Sequence, residues 1–333
     1  MPLSLPMKRR TLFGTVGAGL LAAPFVSNGL LTNPAAAAAD EKDKAMSLPP
    51  DINRFKLGGF KVTVIKDGAR PSDKPQETYG LNQPPGDVAA LLKENFLPED
   101  RFVNTFSPVV VDTGKEIVLF DTGLGAGARA QGGGRLLEGL AAAGYKPEDI
   151  SLVVLTHMHG DHIGGLMEDG KPAFPKARYV AGQAEYDFWK DKAREGTPAE
   201  GNHKMVLSNV VPLAEKTTFI GDGATVLPGI TAMLAVGHTP GHMIFRLESE
   251  GRHLVMTGDT ANHYVLSLQR PDWEVRFDMD KAQAAATRKR VFDMIAGEKI
   301  AFLGYHMPFP AVGFVEKMGA GYRFVPKTYQ FDL

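Results

Sequence analysis

The chain has 333 residues, 44% of them hydrophobic, with 37 basic against 38 acidic groups and a formal net charge of −1. That length and apolar content suffice for a full core, and the balanced charge, without a basic stripe or block of like charge, excludes the electrostatic footprint of a nucleic-acid binder or of a protein docked on an anionic surface. No cysteine is present, so no disulfide staples the fold and no acylated cysteine anchors it.

At the N-terminus, Met7-Lys8-Arg9-Arg10-Thr11-Leu12-Phe13 forms a twin-arginine pattern. An apolar stretch through Leu31 follows, interrupted by Gly17, Gly19, Pro24 and Asn28, and then the alanine run Ala35–Ala39. Residues 1–39 read as a cleaved export signal; a membrane anchor needs about 20 apolar residues, and the interruptions argue against one. The expected destination is the periplasm or the exterior, reached through the twin-arginine machinery. Residues 40–53 read as a flexible linker and 54–333 as one α/β domain.

Phe60–Ile65 is expected as a strand, and Val109–Val111 pairs with Ile117–Phe120 across Thr113-Gly114-Lys115. Leu136–Ala143 reads as a helix, Leu152–Leu155 as a strand, and Arg178–Val180 as a strand feeding a helix over Ala184–Arg194. A later strand ends at His238, and Ile244–Leu247 and Leu254–Met256 form a hairpin around Glu250-Gly251. Strand Ile300–Leu303 follows a helix capped near Asp278 or Asp280.

The most informative segment is Ser151-Leu-Val-Val-Leu-Thr-His-Met-His-Gly-Asp-His-Ile-Gly-Gly165. An apolar strand ends in His157, His159, Asp161 and His162, too many ligand-type side chains for one tetrahedral ion, so two metals are implied. Alternate side chains of an extended segment point the same way, so His157 and His159 can grip one ion, while the turn at Gly160 swings Asp161 and His162 toward a second. Imidazole and carboxylate are borderline donors that suit Zn2+, and also Mn2+, Co2+ or Fe2+. Further candidates follow other apolar stretches: His238, Asp259 and His306.

The pattern His-x-His-x-Asp-His, followed by His, Asp and His after later strands, resembles the metallo-β-lactamase-fold hydrolases. Within them the chain is most similar to the methyl parathion hydrolase group and its relatives among N-acyl homoserine lactonases. The resemblance also covers Leu81-Asn82-Gln83-Pro84-Pro85, Phe120-Asp121-Thr122-Gly123, Gln183–Trp189, Gly237–His242 and Gly321-Tyr322-Arg323-Phe324-Val325-Pro326. It implies an αββα sandwich with the site at the strand ends. His157, His159 and His238 would hold one metal, Asp161, His162 and His306 the other, and Asp259 would bridge them.

Two divalent ions so held lower the pKa of a shared water to about 7 or below and polarise the oxygen under attack, giving a hydroxide nucleophile between them. Asp161 and Asp259 are the catalytic candidates, Asp259 also as proton acceptor. The resemblance implies opening of lactones of the N-acyl homoserine lactone type (quorum quenching) or cleavage of activated esters. Phosphotriester hydrolysis of the methyl parathion type is the runner-up, ahead of a glyoxalase II-like thioesterase and a non-catalytic binding protein. Carboxylate rather than cysteine near position 259 disfavours β-lactam hydrolysis. The expected partners are a small-molecule ester or lactone, the export machinery and a second copy of the chain as a homodimer, with no nucleic acid.

Trp189 and His263 are expected in the substrate pocket, Asp121 and His242 behind the ligands, and His203 and His253 at the surface. The glycine-rich loop at 124–134 carries no aromatic residue where the organophosphate hydrolases place one. It is expected to be mobile and to leave no aromatic wall for a flat leaving group.

Overall fold

The computed structural model describes residues 51–328, so the segment expected to be an export signal and nearly all of the expected linker lie outside the described residues. Ile52 and Asn53, assigned above to the linker, instead open the first strand, Ile52–Leu57.

Two seven-stranded sheets carry the fold. In hydrogen-bonded order the first runs Ile52–Leu57, Phe60–Ile65, Val109–Asp112, Ile117–Phe120, Leu152–Val154, Arg178–Gly182 and Thr217–Ile220, and its last four strands are parallel. The second runs Thr225–Leu227, Ile230–Leu234, Met243–Ser249, Arg252–Gly258, Ala301–Gly304, Val312–Met318 and Gly321–Pro326, antiparallel except where Arg252–Gly258 meets Ala301–Gly304.

Period-two alternation explains the layering. Val109, Val111, Val118, Phe120, Leu152 and Val154 face inward and pack with Phe245, Leu247 and Val255 of the second sheet. Between them Val110, Leu119 and Val153 face outward, under Leu136 and Leu140 of helix Leu136–Ala142. Both faces of these strands are buried, so they read as continuous apolar runs rather than alternating ones. On the far side Val291, Phe292 and Ile295 of helix Lys281–Glu298 cover the second sheet. The four layers make the expected αββα sandwich.

The helix expected over Ala184–Arg194 is divided, because helix Gln183–Lys190 ends at Asp191, whose carboxylate caps a separate turn by accepting from the Ala193 N–H at 2.9 Å. Asp280, not Asp278, caps the long helix. Helices Pro85–Glu94 and Glu200–Asn209 and a ribbon pairing Gly68–Asp73 with Arg101–Phe106 are further elements, not expected from the sequence. Pro71 lowers the strand signal of that ribbon. Among the described residues no helix is long and apolar enough to cross a membrane.

Candidate metal centre and active-site cleft

Parallel pairing brings the carboxyl ends of strands to one edge, and the candidate ligands leave from there. Gly258 pairs with Gly304, so Asp259 and His306 emerge side by side. Leu152–Val154 leads into His157 and His159, and Ile230–Leu234 into His238. Gly258 has φ of +47°, and a Cβ there would lie 2.7 Å from His242 Nε2, so only glycine lets the chain turn Asp259 into the site.

All seven proposed ligands converge. His157, His159 and His238 form one group, Asp161, His162 and His306 another, and His157, His162 and Asp259 a third that links them, each with ligand atoms within 4.8 Å of one another. His159 Nδ1 lies 3.1 Å from His157 Nε2 and 2.9 Å from His238 Nε2. His306 Nε2 is 3.4 Å from Asp161. Asp259 Oδ2 is 3.3 Å from His238 Nε2 and 3.1 Å from His306 Nε2, while Oδ1 is 3.3 Å from His162 Nε2. A carboxylate that touches a histidine of each group stands where a bridge must stand.

The donor set fits two cations. Burial drives His157 well below its usual range, and burial with the neighbouring His238 takes His159 down to about 3, so both imidazoles are neutral, as ligands must be. Burial also opposes charge on His306, yet Asp259 and Asp161 raise it to about 10, and His162 is held well above its ordinary value by Asp259, Asp121 and Asp161 against the same burial. The carboxylates draw positive charge to this point. His162 Nε2 and Asp259 Oδ1 are buried with no hydrogen bond, although they face each other, and a cation between them would satisfy both.

The remaining ligand atoms are held from behind. Asp121 accepts from His162 Nδ1 at 2.8 Å and from both the N–H and hydroxyl of Thr156 at 2.8 Å. Asp278 pairs with His238 Nδ1 at 2.9 Å and with Arg288 at 2.7 Å. The Thr105 carbonyl is 2.8 Å from His306 Nδ1, and His242 Nε2 accepts the Asp259 N–H at 3.0 Å. Asp121 and His242 thus act as expected.

Glu185, Asp278, Arg288 and Thr105 were not singled out as site residues. Glu185 is fully buried, and its two oxygens accept from the Met158 N–H at 2.9 Å and Trp189 Nε1 at 2.7 Å, and from the Thr239 hydroxyl at 2.7 Å and the Gly241 N–H at 2.9 Å. It ties the loop of His157 and His159 to the loop of His238. The one local signal was its i,i+4 spacing from Trp189 on helix Gln183–Lys190.

Three expectations are corrected. Trp189 does not line the cleft: it is 2% exposed, packs in the outer core and sets its ring edge-on to His159 at 5.6 Å. His263 is also buried, because its Nδ1 accepts the Val265 and Leu266 N–H groups at 3.1 Å and its ring lies against Tyr79 and Phe102. His203 is not a surface residue; it is 1% exposed and bonds the Trp189 carbonyl through Nδ1 at 2.6 Å.

Above the ligands lies a cleft of about 700 Å³ lined by His159, Asp161, His238, Asp259 and His306. The glycine-rich loop contributes Leu124, Gly127, Ala128 and Gln131, but not as a loose strand. It forms a 3₁₀ turn, Ala126–Gln131, and buried Asp67 accepts from the N–H groups of Leu124, Gly134 and Leu136 at 2.8–3.1 Å, while Arg129 makes a bidentate pair with Glu168. The loop brings no aromatic to the cleft, as expected, while Phe106 and Phe277 line it from other segments.

Comparison with known proteins agrees with this geometry. An N-acyl homoserine lactonase of Bacillus cereus is 28% identical over 209 residues, spanning 60% of this chain and 76% of that protein. The structure of AidC, described as a dizinc quorum-quenching lactonase in complex with a product, N-hexanoyl-L-homoserine, superposes with a TM-score of 0.76 at 25% identity, covering 84% of this chain and 98% of that one. The hydrolase AbOPH, of the beta-lactamase superfamily, gives a TM-score of 0.75 at 25% identity over the same shares. The sequence pattern of the metallo-beta-lactamase superfamily matches residues 103–294, and the chain belongs to that superfamily.

Proposed function

We propose that the protein is a dinuclear, zinc-type metal hydrolase that opens lactones of the N-acyl homoserine lactone kind. The observation that carries this reading is Asp259 set between two groups of ligands at the floor of an open cleft. His157, His159 and His238 would hold one ion, Asp161, His162 and His306 the other, and Asp259 both. When bound, two such ions supply an activated water at neutral pH and polarise the ester carbonyl.

The chain's own residues do the rest. Asp259 Oδ2 receives Asn262 Nδ2 at 3.0 Å and is aimed into the cleft, where it can accept the proton of the attacking water and return it to the leaving alkoxide. Asp121, Asp278 and the Thr105 carbonyl fix the rings of His162, His238 and His306. Phe106, Leu124 and Met205 offer an apolar wall for an acyl chain.

The kinship with lactonases in sequence and in structure supports lactone over phosphotriester chemistry. The twin-arginine pattern at Met7–Phe13 supports a periplasmic or secreted location. The test is a kcat/KM panel of N-acyl homoserine lactones, simple γ- and δ-lactones, an aryl ester, paraoxon, a glutathione thioester and a β-lactam. A lactone should lead; a phosphotriester or thioester preferred by a wide margin would overturn the proposal.

A further inference from the structure

We infer that Arg70 and Arg276 form a subsite for an anionic group, so that the favoured lactone carries a carboxylate at the end of its acyl substituent remote from the ring. The inference deepens the proposed function and rests on it. Both arginines line the same cleft as the ligands. Neither has a carboxylate partner among the described residues, and the acidic residues lining the cleft are Asp161 and Asp259, both engaged with histidines.

Their placement is built by the fold. Arg70 and Asn104 are opposite each other in the ribbon of Gly68–Asp73 and Arg101–Phe106, as are Ser72 with Phe102 and Gly68 with Phe106. Directly opposed and alternate residues share one face of a ribbon, so Arg70, Ser72, Asn104 and Phe106 enter the cleft together. Thr105, next to Asn104, gives its carbonyl to His306. On the other side the Arg276 N–H donates to the Thr78 carbonyl at 2.8 Å, Val275 bridges Tyr79, and Asp278, two residues on, holds His238. Each guanidinium is therefore tied by its backbone to a different half of the metal centre.

The chain as a whole is almost neutral, so two cations at this mouth do not follow from a generally basic surface. A guanidinium matches a carboxylate with paired N–H donors, and a field of one sign in a cleft draws in the opposite charge. A neutral alkyl chain uses neither property. Arg276 lies 5.0 Å from the Phe277 ring, which gives the charged end a flat apolar support.

The experiment compares, on metal-replete enzyme, a γ-lactone whose acyl chain ends in a carboxylate with the matched carboxamide. The kcat/KM ratio of carboxylate to carboxamide should be about tenfold at low salt, since exposed ion pairs are each worth a few-fold, and it should shrink as salt rises. Arg70→Gln with Arg276→Gln should bring the ratio close to one, while Arg70→Lys with Arg276→Lys should keep part of it. A wild-type ratio near one, or a ratio that survives the double Gln change, overturns the inference. Turnover of the carboxamide with no preference refutes this subsite alone; failure to turn over either lactone refutes the proposed function and the subsite with it.

Discussion

Glu185→Gln is a nearly isosteric change in a side chain that touches no substrate, so its effect measures how the two ligand loops are held together. Four donors converge on the carboxylate: the Met158 N–H, Trp189 Nε1, the Thr239 hydroxyl and the Gly241 N–H. Burial pushes the Glu185 pKa up, and these four hydrogen bonds work against that rise. A glutamine offers one acceptor oxygen and one NH2. With its oxygen toward Met158 and Trp189, the NH2 faces Thr239, whose hydroxyl can turn to accept, and Gly241, whose N–H cannot. The reverse orientation strands two donors. One orphaned buried donor costs about 1–3 kcal/mol, and the lost charge-assisted bonds add to it, so urea unfolding of the metal-free variant should show a loss of about 2–4 kcal/mol. Because Thr239 follows His238, metal affinity measured by chelator competition should fall by roughly 10- to 100-fold. A Glu185→Gln protein with wild-type stability and wild-type metal affinity would refute the reasoning.

Asp278→Ala leaves the Arg288 guanidinium buried beside an unbuttressed His238, and should cost about 3–5 kcal/mol in a denaturant titration. Asp67→Asn keeps one acceptor oxygen where the carboxylate has two, for three backbone N–H groups, and should loosen the 124–134 loop; KM for a lactone should rise several-fold with metal content unchanged, and an unaltered KM would show that the loop is held otherwise. Arg9→Lys with Arg10→Lys should leave the precursor in the cytoplasm, folded and active, as read by cell fractionation; normal export of that variant would point to another route.

The ligands could be read from the sequence because each follows an apolar strand and four of them fall within six positions, a pattern that local periodicity exposes. What holds them could not. Glu185 reaches Gly241 and Thr239 over more than fifty residues, and Asp278 reaches His238 over forty. Such pairs carry no local mark, and Asp278 in particular passes for a helix cap until Asp280 is seen to fill that place. Trp189 was placed in the pocket by its resemblance to a wall aromatic of the organophosphate hydrolases and His263 because it closely follows Asp259, but neither a resemblance nor proximity after a strand fixes which face is buried. The loop at 124–134 was taken for mobile from its glycines alone. Its order comes from Asp67, whose partners lie between 57 and 69 residues away. Sheet order was equally hidden, since the parallel register of Gly258 with Gly304 unites Asp259 and His306 across a long helix.

The central claim is that two ions, shared through Asp259, make the protein a lactone hydrolase. Titrating zinc into the chelator-stripped protein while following the opening of an N-acyl homoserine lactone tests it most directly. Activity should be absent at the start and should level off at two equivalents per chain. Full activity without metal, a plateau at a single equivalent, or no lactone opening at any loading would contradict the account.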